Sequence, residues 1–491
     1  MGETGRYGWE FKITVYCIMK RKTFTTLTLL ISLFALGQTT FIKTQTITLT
    51  GTEGDTPYPI ASADIDNDGY NDIVLGTDFG GAIFWFKNDG LGNFTQQPTV
   101  TNTLGRVIDI VLVDINGDTT IDILASSFTD DKVVFYPNSL ANPGTFGSEI
   151  TIASGIDGAT DVDVVLLNGD SFLDVVVSAF DADKIVWFAG NGDGTFGAEN
   201  IMINSVVKPG SFDLKDIDTD SDLDLVVANA VNIDDLPGMN TSVIEVFFNS
   251  SLTFTKDTNS VTNDNDYLFN VSFEDIDASN NAGITLDILA TDIFGDLVHY
   301  NRNASDTYDE TIISSTIVNP ASVAFYDLDI SGDGLKDIIL SSGTNGVGND
   351  IVWFKNNGSG NFSAEQVIDD TQSNTFKFVV EDFDNDGDLD IASAAYNQDQ
   401  INIFNNQKIV LSTEEFQGER FRIYPNPVSD YLRFDGSFVT ETEYSIYTVL
   451  GNKLIEGELR TNTSIDLTRL NSGIYYFQLN DSGRVYKIIK N

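Results

Sequence analysis

The sequence predicts an all-β protein, a seven-bladed β-propeller followed by a small β-sandwich domain. Three observations carry the prediction. An acidic nonapeptide recurs seven times, starting at Asp64, Asp114, Leu166, Asp216, Asp275, Asp329 and Asp382, at intervals of 50 to 59 residues. Repeats of that period are the mark of stacked supersecondary units. Each nonapeptide runs into an apolar stretch (DIVLGT, DILASS, DVVVSA, DLVVAN, DILATD, DIILSS, DIASAA) and then, about ten residues on, into a strand whose last residue is aromatic. These aromatics are Phe86, Tyr136, Phe188, Phe247, Tyr300, Phe354 and Phe404. Four short strands per unit with turn signals between them exclude a helical reading. Several strands are apolar at every position, so both faces must be buried, as they are between propeller blades.

Taken in order, residues 19–37 read as a signal peptide. Lys20, Arg21 and Lys22 precede an apolar run to Leu36, and Gly37 satisfies the small-residue rule for cleavage. Residues 1–18 read as an extension upstream of that start. The apolar run is too short to span a bilayer, so no transmembrane segment is expected in the mature chain. Cys17, the sole cysteine, precedes the cleavage point, and no disulfide framework is available. Residues 41–52 (FIKTQTITLTGT) resemble the fourth strands of other units, while the last unit stops after its third strand. The N-terminal strand is therefore expected to complete the last blade and close a propeller spanning 38–408.

The acidic loops carry the candidate chemistry. In DIDNDGYND, carboxylates at i, i+2, i+4 and i+8 with glycine at i+5 can converge on one point, as oxygen ligands do around calcium. Units one and seven have every element: Asp64, Asp66, Asp68 and Asp72 with Gly69, and Asp382, Asp384, Asp386 and Asp390 with Gly387. Unit four offers Asp216, Asp218, Asp220 and Asp224 but has Ser221 in the glycine position. Unit two offers Asp114, Asn116, Asp118 and Asp122, with Thr119 there. Unit six offers Asp329, Ser331, Asp333 and Asp337. Unit three keeps only Asn168, Asp170 and Asp174, and unit five (Asp275, Asp277, Asp287) is stretched by four residues. The competing reading of each loop is a metal-free turn in which Asp side chains bond nearby backbone groups. The loops lack the glutamate of an EF-hand, since i+11 in unit one is Leu75. Extracellular calcium modules bind at roughly 10⁻⁴–10⁻³ M, so the ion would be structural.

With its following apolar strand, this loop resembles the FG-GAP/VCBS repeat of the integrin α-subunit propeller, over roughly residues 42–408. The resemblance implies that the loop joins the first two strands of a blade and binds calcium. Residues 409–420 read as a linker. Beyond it the chain is nearly charge-balanced and alternates strands with tight turns, which suits a small sandwich. The succession YPNP (424–427), a strand ending in GNKL (451–454), LNSGIYYF (470–477) and YKIIK (486–490) resembles the type A C-terminal sorting domain of the type IX secretion system of Bacteroidetes. That resemblance implies a sorting domain over 421–491, transport across the outer membrane, and the secretion machinery as a partner.

Composition bounds the function. The net charge is −46; residues 1–37 carry +3 and residues 412–491 carry −2, which leaves −47 in the repeats. Acid in register suits cation loops and argues against nucleic acid, whose phosphates need a basic footprint. The single histidine, His299, stands where Trp85, Trp187 and Trp353 stand in other units, and all four read as core residues. Without histidine and cysteine to spare, no Ser-His-Asp, Cys-His or histidine-zinc site can be assembled. The expectation is a secreted or surface-attached, calcium-binding adhesion module for an extracellular glycan or protein, and not an enzyme. The alternative is a polysaccharide lyase or carboxylate glycosidase. Partner contacts are expected on the insertions 229–242 and 341–350, between second and third strands.

Overall fold

The structure is a computed structural model of the 491-residue chain. It describes residues 40–229, 243–259, 261–262, 268–276, 286–292, 296–303, 307–328, 334–343, 349–358, 360–407, 422–424, 427–435, 442–448, 453–459, 464–479 and 485–491. Residues 19–37 and 409–420, expected as signal peptide and linker, and parts of both insertions lie outside these residues. The chain divides into two units, residues 1–408 and 409–491.

The first unit consists of seven antiparallel sheets, each a meander of four strands in the order expected from the repeat. Blade 1 is Pro57–Ala63, Asp72–Thr77, Ile83–Asn88 and Phe94–Gln96. In blade 4 an additional two-residue strand, Val261–Thr262, pairs with the third strand. The seventh blade takes its fourth strand from the N-terminus. Thr40–Thr48 runs antiparallel to Gln400–Gln407, with Ile47 opposite Ile401.

Seven apolar clusters lie between the seven sheets, and together they close a ring. The second strands explain this. Along Asp72–Thr77, Val74 faces the blade 2 side while Ile73 and Leu75 face the blade 7 side, so every position is buried. The residue after the first acid of each loop also reaches into the core of the following blade. Ile65 joins the cluster of blade 2, Ile115 that of blade 3, and Leu167 that of blade 4. Ile217, Ile276 and Leu328 repeat the arrangement, and Phe383 of the last loop packs into blade 1, 5.2 Å from the ring of Phe94. The terminal aromatic of each third strand meets this residue from the other side; Phe86 and Phe383 share one cluster, as do Tyr136 and Ile65. This is the seven-bladed β-propeller that the repeat predicts.

Trp85 and Trp353 are buried between blades, as expected, whereas Trp187 is only partly buried. His299 occupies the same register position, opposite Leu289, and its Nε2 lies 3.1 Å from Asp287.

The second unit has a three-stranded sheet (Arg422–Tyr424, Tyr431–Asp435, Ser464–Asp466) and a four-stranded one. The latter contains Thr442–Thr448, Lys453–Leu459, Gly473–Leu479 and Val485–Lys490. Leu432 and Ile465 of the first sheet share a core with Ile446, Phe477 and Ile488 of the second, which makes a sandwich. One detail differs from the expectation: Lys453 and Leu454 begin a strand, because Lys453 pairs with Tyr447 across the preceding turn.

Candidate metal centres on the acidic loops

Each acidic loop follows the first strand of its blade and precedes the second, so the strand ends that carry the loops lie at one end of the ring. The first acid closes the turn. In blade 1 the Asp64 carboxylate accepts the N–H groups of Asp68 (3.0 Å) and Gly69 (2.9 Å). Asp114 and Asp382 do the same in blades 2 and 7, and in blade 4 Asp216 accepts the N–H groups of Thr219 and Ser221. In these four loops the residue at i+5 adopts a left-handed conformation: φ is 92° at Gly69 and Gly387, and 76° at Thr119 and Ser221. That backbone costs a β-branched threonine more than a glycine, and the bond to Asp114 holds it there.

The last acid is a buried clasp. Asp72 accepts the N–H of Ile65 (3.2 Å) on one oxygen and that of Asn88 (2.8 Å), from the third strand, on the other. The same pair of bonds recurs at Asp174, Asp224, Asp337 and Asp390. Burial pushes the carboxyls of Asp72, Asp122 and Asp390 up to about 7 and that of Asp224 up to about 6; the backbone N–H donors pull the other way.

In three blades the carboxylates converge. Asp64, Asp66 and Asp72 each place an oxygen within 4.8 Å of the others, as do Asp216, Asp218 and Asp224, and Asp382, Asp384 and Asp390. Such oxygen sets suit a hard cation. The residues fit one in blade 1, where Asp66 Oδ1 is buried with no hydrogen-bond partner. The acids at i+4 stand outside these clusters. Asp68, Asp220 and Asp386 accept the N–H of Tyr70, Asp222 and Asp388 instead.

The loops of blades 2 and 3 are closed by nitrogen donors. In blade 2 the Asn116 amide donates to Asp122 (2.9 Å), and in blade 3 Asn168 donates to Asp174 (3.3 Å). Asp118 and Asp170 cap the N–H groups of Thr120 and Phe172. Blade 1 has a cation of its own: the Lys87 ammonium binds Asp66 and lies 2.9 Å from Asp68, and these bonds raise its pKa above the usual lysine range. In blade 7 the corresponding residue is Asn405, which donates to Asp384 at 2.6 Å.

Blade 6 requires a correction of register. Asp327 takes the role of Asp64, accepting the Gly334 N–H (3.2 Å), and Leu328 takes that of Ile65 by donating to Asp337 (3.1 Å). The loop therefore starts two residues before Asp329, because DLDISGDGLKD offers two acidic starts and the apolar plug selects the first. Asp329, Ser331 and Asp333 lie outside the described residues, as does Asp277. Asp275 and Asp287 of blade 5 are described; Asp287 accepts the Ile276 N–H at 3.3 Å.

Sequence reasoning missed a recurrent asparagine. Two residues after the terminal aromatic of the third strand come Asn88, Asn138, Asn249, Asn356 and Asn406. Asn138 donates to Ile65 O (2.8 Å) in blade 1 and Ile121 O (3.0 Å) in its own blade. Asn88 bonds Phe383 O in blade 7, and Asn406 bonds Leu328 O in blade 6. The signal, aromatic-x-Asn in five of seven units, was present in the sequence.

Comparison with known proteins agrees with this architecture. A model described as an FG-GAP-like repeat matches residues 64–125, 167–227 and 329–393, and a secretion system C-terminal sorting domain matches residues 422–491. No match is found among curated proteins. Two crystal structures of BBS1N in complex with ARL6DN, one soaked with mercury and one with lead, resemble the chain at TM-scores of 0.50 and 0.51 and 8% identity. In both, the match covers 76% of this chain and 99% of the other, and at that identity it shows the fold. The chain is thus a β-propeller of FG-GAP-like repeats. It carries a type IX sorting domain at its C-terminus, which points to a secreted or outer-surface protein.

Proposed function

We propose that this protein is a calcium-stiffened binding module, exported behind a signal peptide and displayed outside the cell to an extracellular glycan or protein. The convergence of three carboxylates in blades 1, 4 and 7 carries the calcium part of this reading. Calcium would cancel the repulsion that gathers there and hold each turn against the plug of its neighbour. The sorting domain supplies the address, and the ring supplies a rigid frame for loops at its opposite end.

The module works by binding rather than turnover. One observation favours the enzymatic alternative: Asp109 and Asp161, on neighbouring first strands, stand together, half-buried, in a hollow beside Lys377. A hydrogen bond links the two carboxyls, whereas the carboxyls of retaining glycosidases stand roughly 5 Å apart. The test uses the purified chain in millimolar calcium and in chelator, scored for melting temperature, bound metal, retention on polysaccharides or cell surfaces, and release of reducing or unsaturated sugar. Calcium-dependent melting with surface retention and no turnover is the expected result. Turnover of any polysaccharide refutes the binding reading, and a melt indifferent to calcium refutes the metal.

A further inference from the structure

The end of the ring opposite the acidic loops carries the starts of the first strands and the segments that follow the second strands. A cavity of about 430 Å³ opens there, between blades 7, 1, 2 and 3. We propose that it binds one uncharged sugar residue; this deepens the binding-module reading and rests on it.

The walls are flat and apolar. Tyr58 and Phe376 begin the first strands of blades 1 and 7; Phe128, Phe180 and Tyr396 follow the second strands of blades 2, 3 and 7. Their rings brace one another, with Phe376 lying 5.2 Å from Tyr396 at 89° and 5.7 Å from Tyr58. Edge-to-face contacts of this kind hold a preformed surface. Gly343 leaves the room Phe376 needs, since a Cβ there would come within 2.6 Å of its ring.

The polar groups are few and balanced in charge. Arg106 grips Asp78 with Nε (2.5 Å) and Nη2 (2.9 Å), and Asp78 also accepts the Tyr396 hydroxyl at 2.8 Å. A guanidinium has five N–H groups, so three remain without a protein acceptor among the described residues. The Tyr58 hydroxyl has no hydrogen-bond partner among them either, and Tyr58 also lines a smaller hollow below, where Asp109 and Asp161 face Lys377. Burial raises both carboxyls, and the Lys377 side chain faces them. A charged ligand would find no uncompensated partner here. A ligand with an apolar face and hydroxyls at its edge would stack on the rings and bond Arg106 and Tyr58. The volume is within the roughly 300–1,000 Å³ of small-ligand pockets.

The test titrates the full chain, in calcium, with methyl glycosides of glucose, galactose, mannose, fucose and N-acetylglucosamine, and with methyl glucuronide and choline as charged probes. Tyr58→Phe and Arg106→Met are titrated alongside; the first removes one oxygen and should leave the melting temperature unchanged. A neutral glycoside that binds wild type, and binds Tyr58→Phe about tenfold and Arg106→Met more than tenfold less tightly, supports the site. No binding of any neutral glycoside overturns it, as does binding indifferent to both substitutions or a preference for a charged probe. Surface retention separates the two readings. Retention kept by both variants without glycoside binding overturns the mouth site alone, whereas absence of retention by wild type overturns the module reading while the glycoside titration still judges the cavity.

Discussion

Replacing Asn138 by alanine should weaken the joint between blades 1 and 2. The side chain is buried and makes three bonds: to Ile65 O across the joint, to Ile121 O beneath it, and from the Gly144 N–H (2.8 Å). Alanine removes all three and strands two buried carbonyls and one amide. An unsatisfied buried group costs about 1–3 kcal/mol, and water entering the vacated space recovers part of that. A net loss of about 3 kcal/mol is expected. For a unit of roughly 370 residues, an unfolding entropy of about 2.1 cal/mol/K per residue converts this to a fall of about 4 °C in melting temperature. Differential scanning calorimetry in millimolar calcium measures it, with Asn142→Ala on the exposed turn nearby as reference. A midpoint within about 1 °C of that reference would falsify the claim that these asparagines tie blade to blade.

Three further outcomes are expected. Lys87→Met should strengthen calcium uptake by the blade 1 loop by about tenfold, equivalent to roughly 1.4 kcal/mol, because the ammonium competes for the Asp66 carboxylate; unchanged calcium titration would sink the competition argument. The calcium-free protein should melt higher at pH 5 than at pH 8. Asp72, Asp122 and Asp390 titrate near 7 and Asp224 near 6 when folded, against about 3.9 unfolded, so the folded state holds more protons in that window and loses stability as pH rises through it; a midpoint rising with pH contradicts this. Deleting residues 38–52 removes the closing strand and the two Gln45 bonds to the Phe94 backbone. It should lower the midpoint by more than Asn138→Ala does, and full stability after the deletion would mean that ring closure contributes nothing.

The fold was legible because each repeat repeats its constraints. Two-face burial was written in runs such as DVVVSA, and the missing fourth strand of the last unit was written in FIKTQTITLTGT, which the structure places beside Gln400–Gln407. Loop geometry was legible only in part. Asp64 and Asp68 look alike as letters, yet one closes the turn and converges with Asp66 and Asp72 while the other caps Tyr70. The start of loop six was ambiguous until Leu328 was seen to occupy the plug position, since spacing alone cannot choose between Asp327 and Asp329. Nor could spacing reveal that Lys87, fifteen residues beyond Asp72, folds back onto the loop of its own blade.

The acidic loop therefore has two separable jobs. Its i+1 plug and i+8 clasp belong to the propeller and persist in blades 2 and 3, where asparagine amides close the turn. Among the described residues, the convergence that suits a cation occurs in the blades where three carboxylates meet, blades 1, 4 and 7. One of those, blade 7, contains the seam at which the N-terminal strand joins the last blade, and its plug Phe383 shares a core cluster with Leu49, Ile401 and Ile403. A ring assembled from one chain is weakest where the chain does not continue, so calcium at blade 7 should matter more to stability than calcium at blade 4. Asp382→Asn with Asp384→Asn should erase most of the calcium-dependent rise in melting temperature, and Asp216→Asn with Asp218→Asn the smaller share. Equal losses from the two pairs would show that the seam has no special claim on the metal.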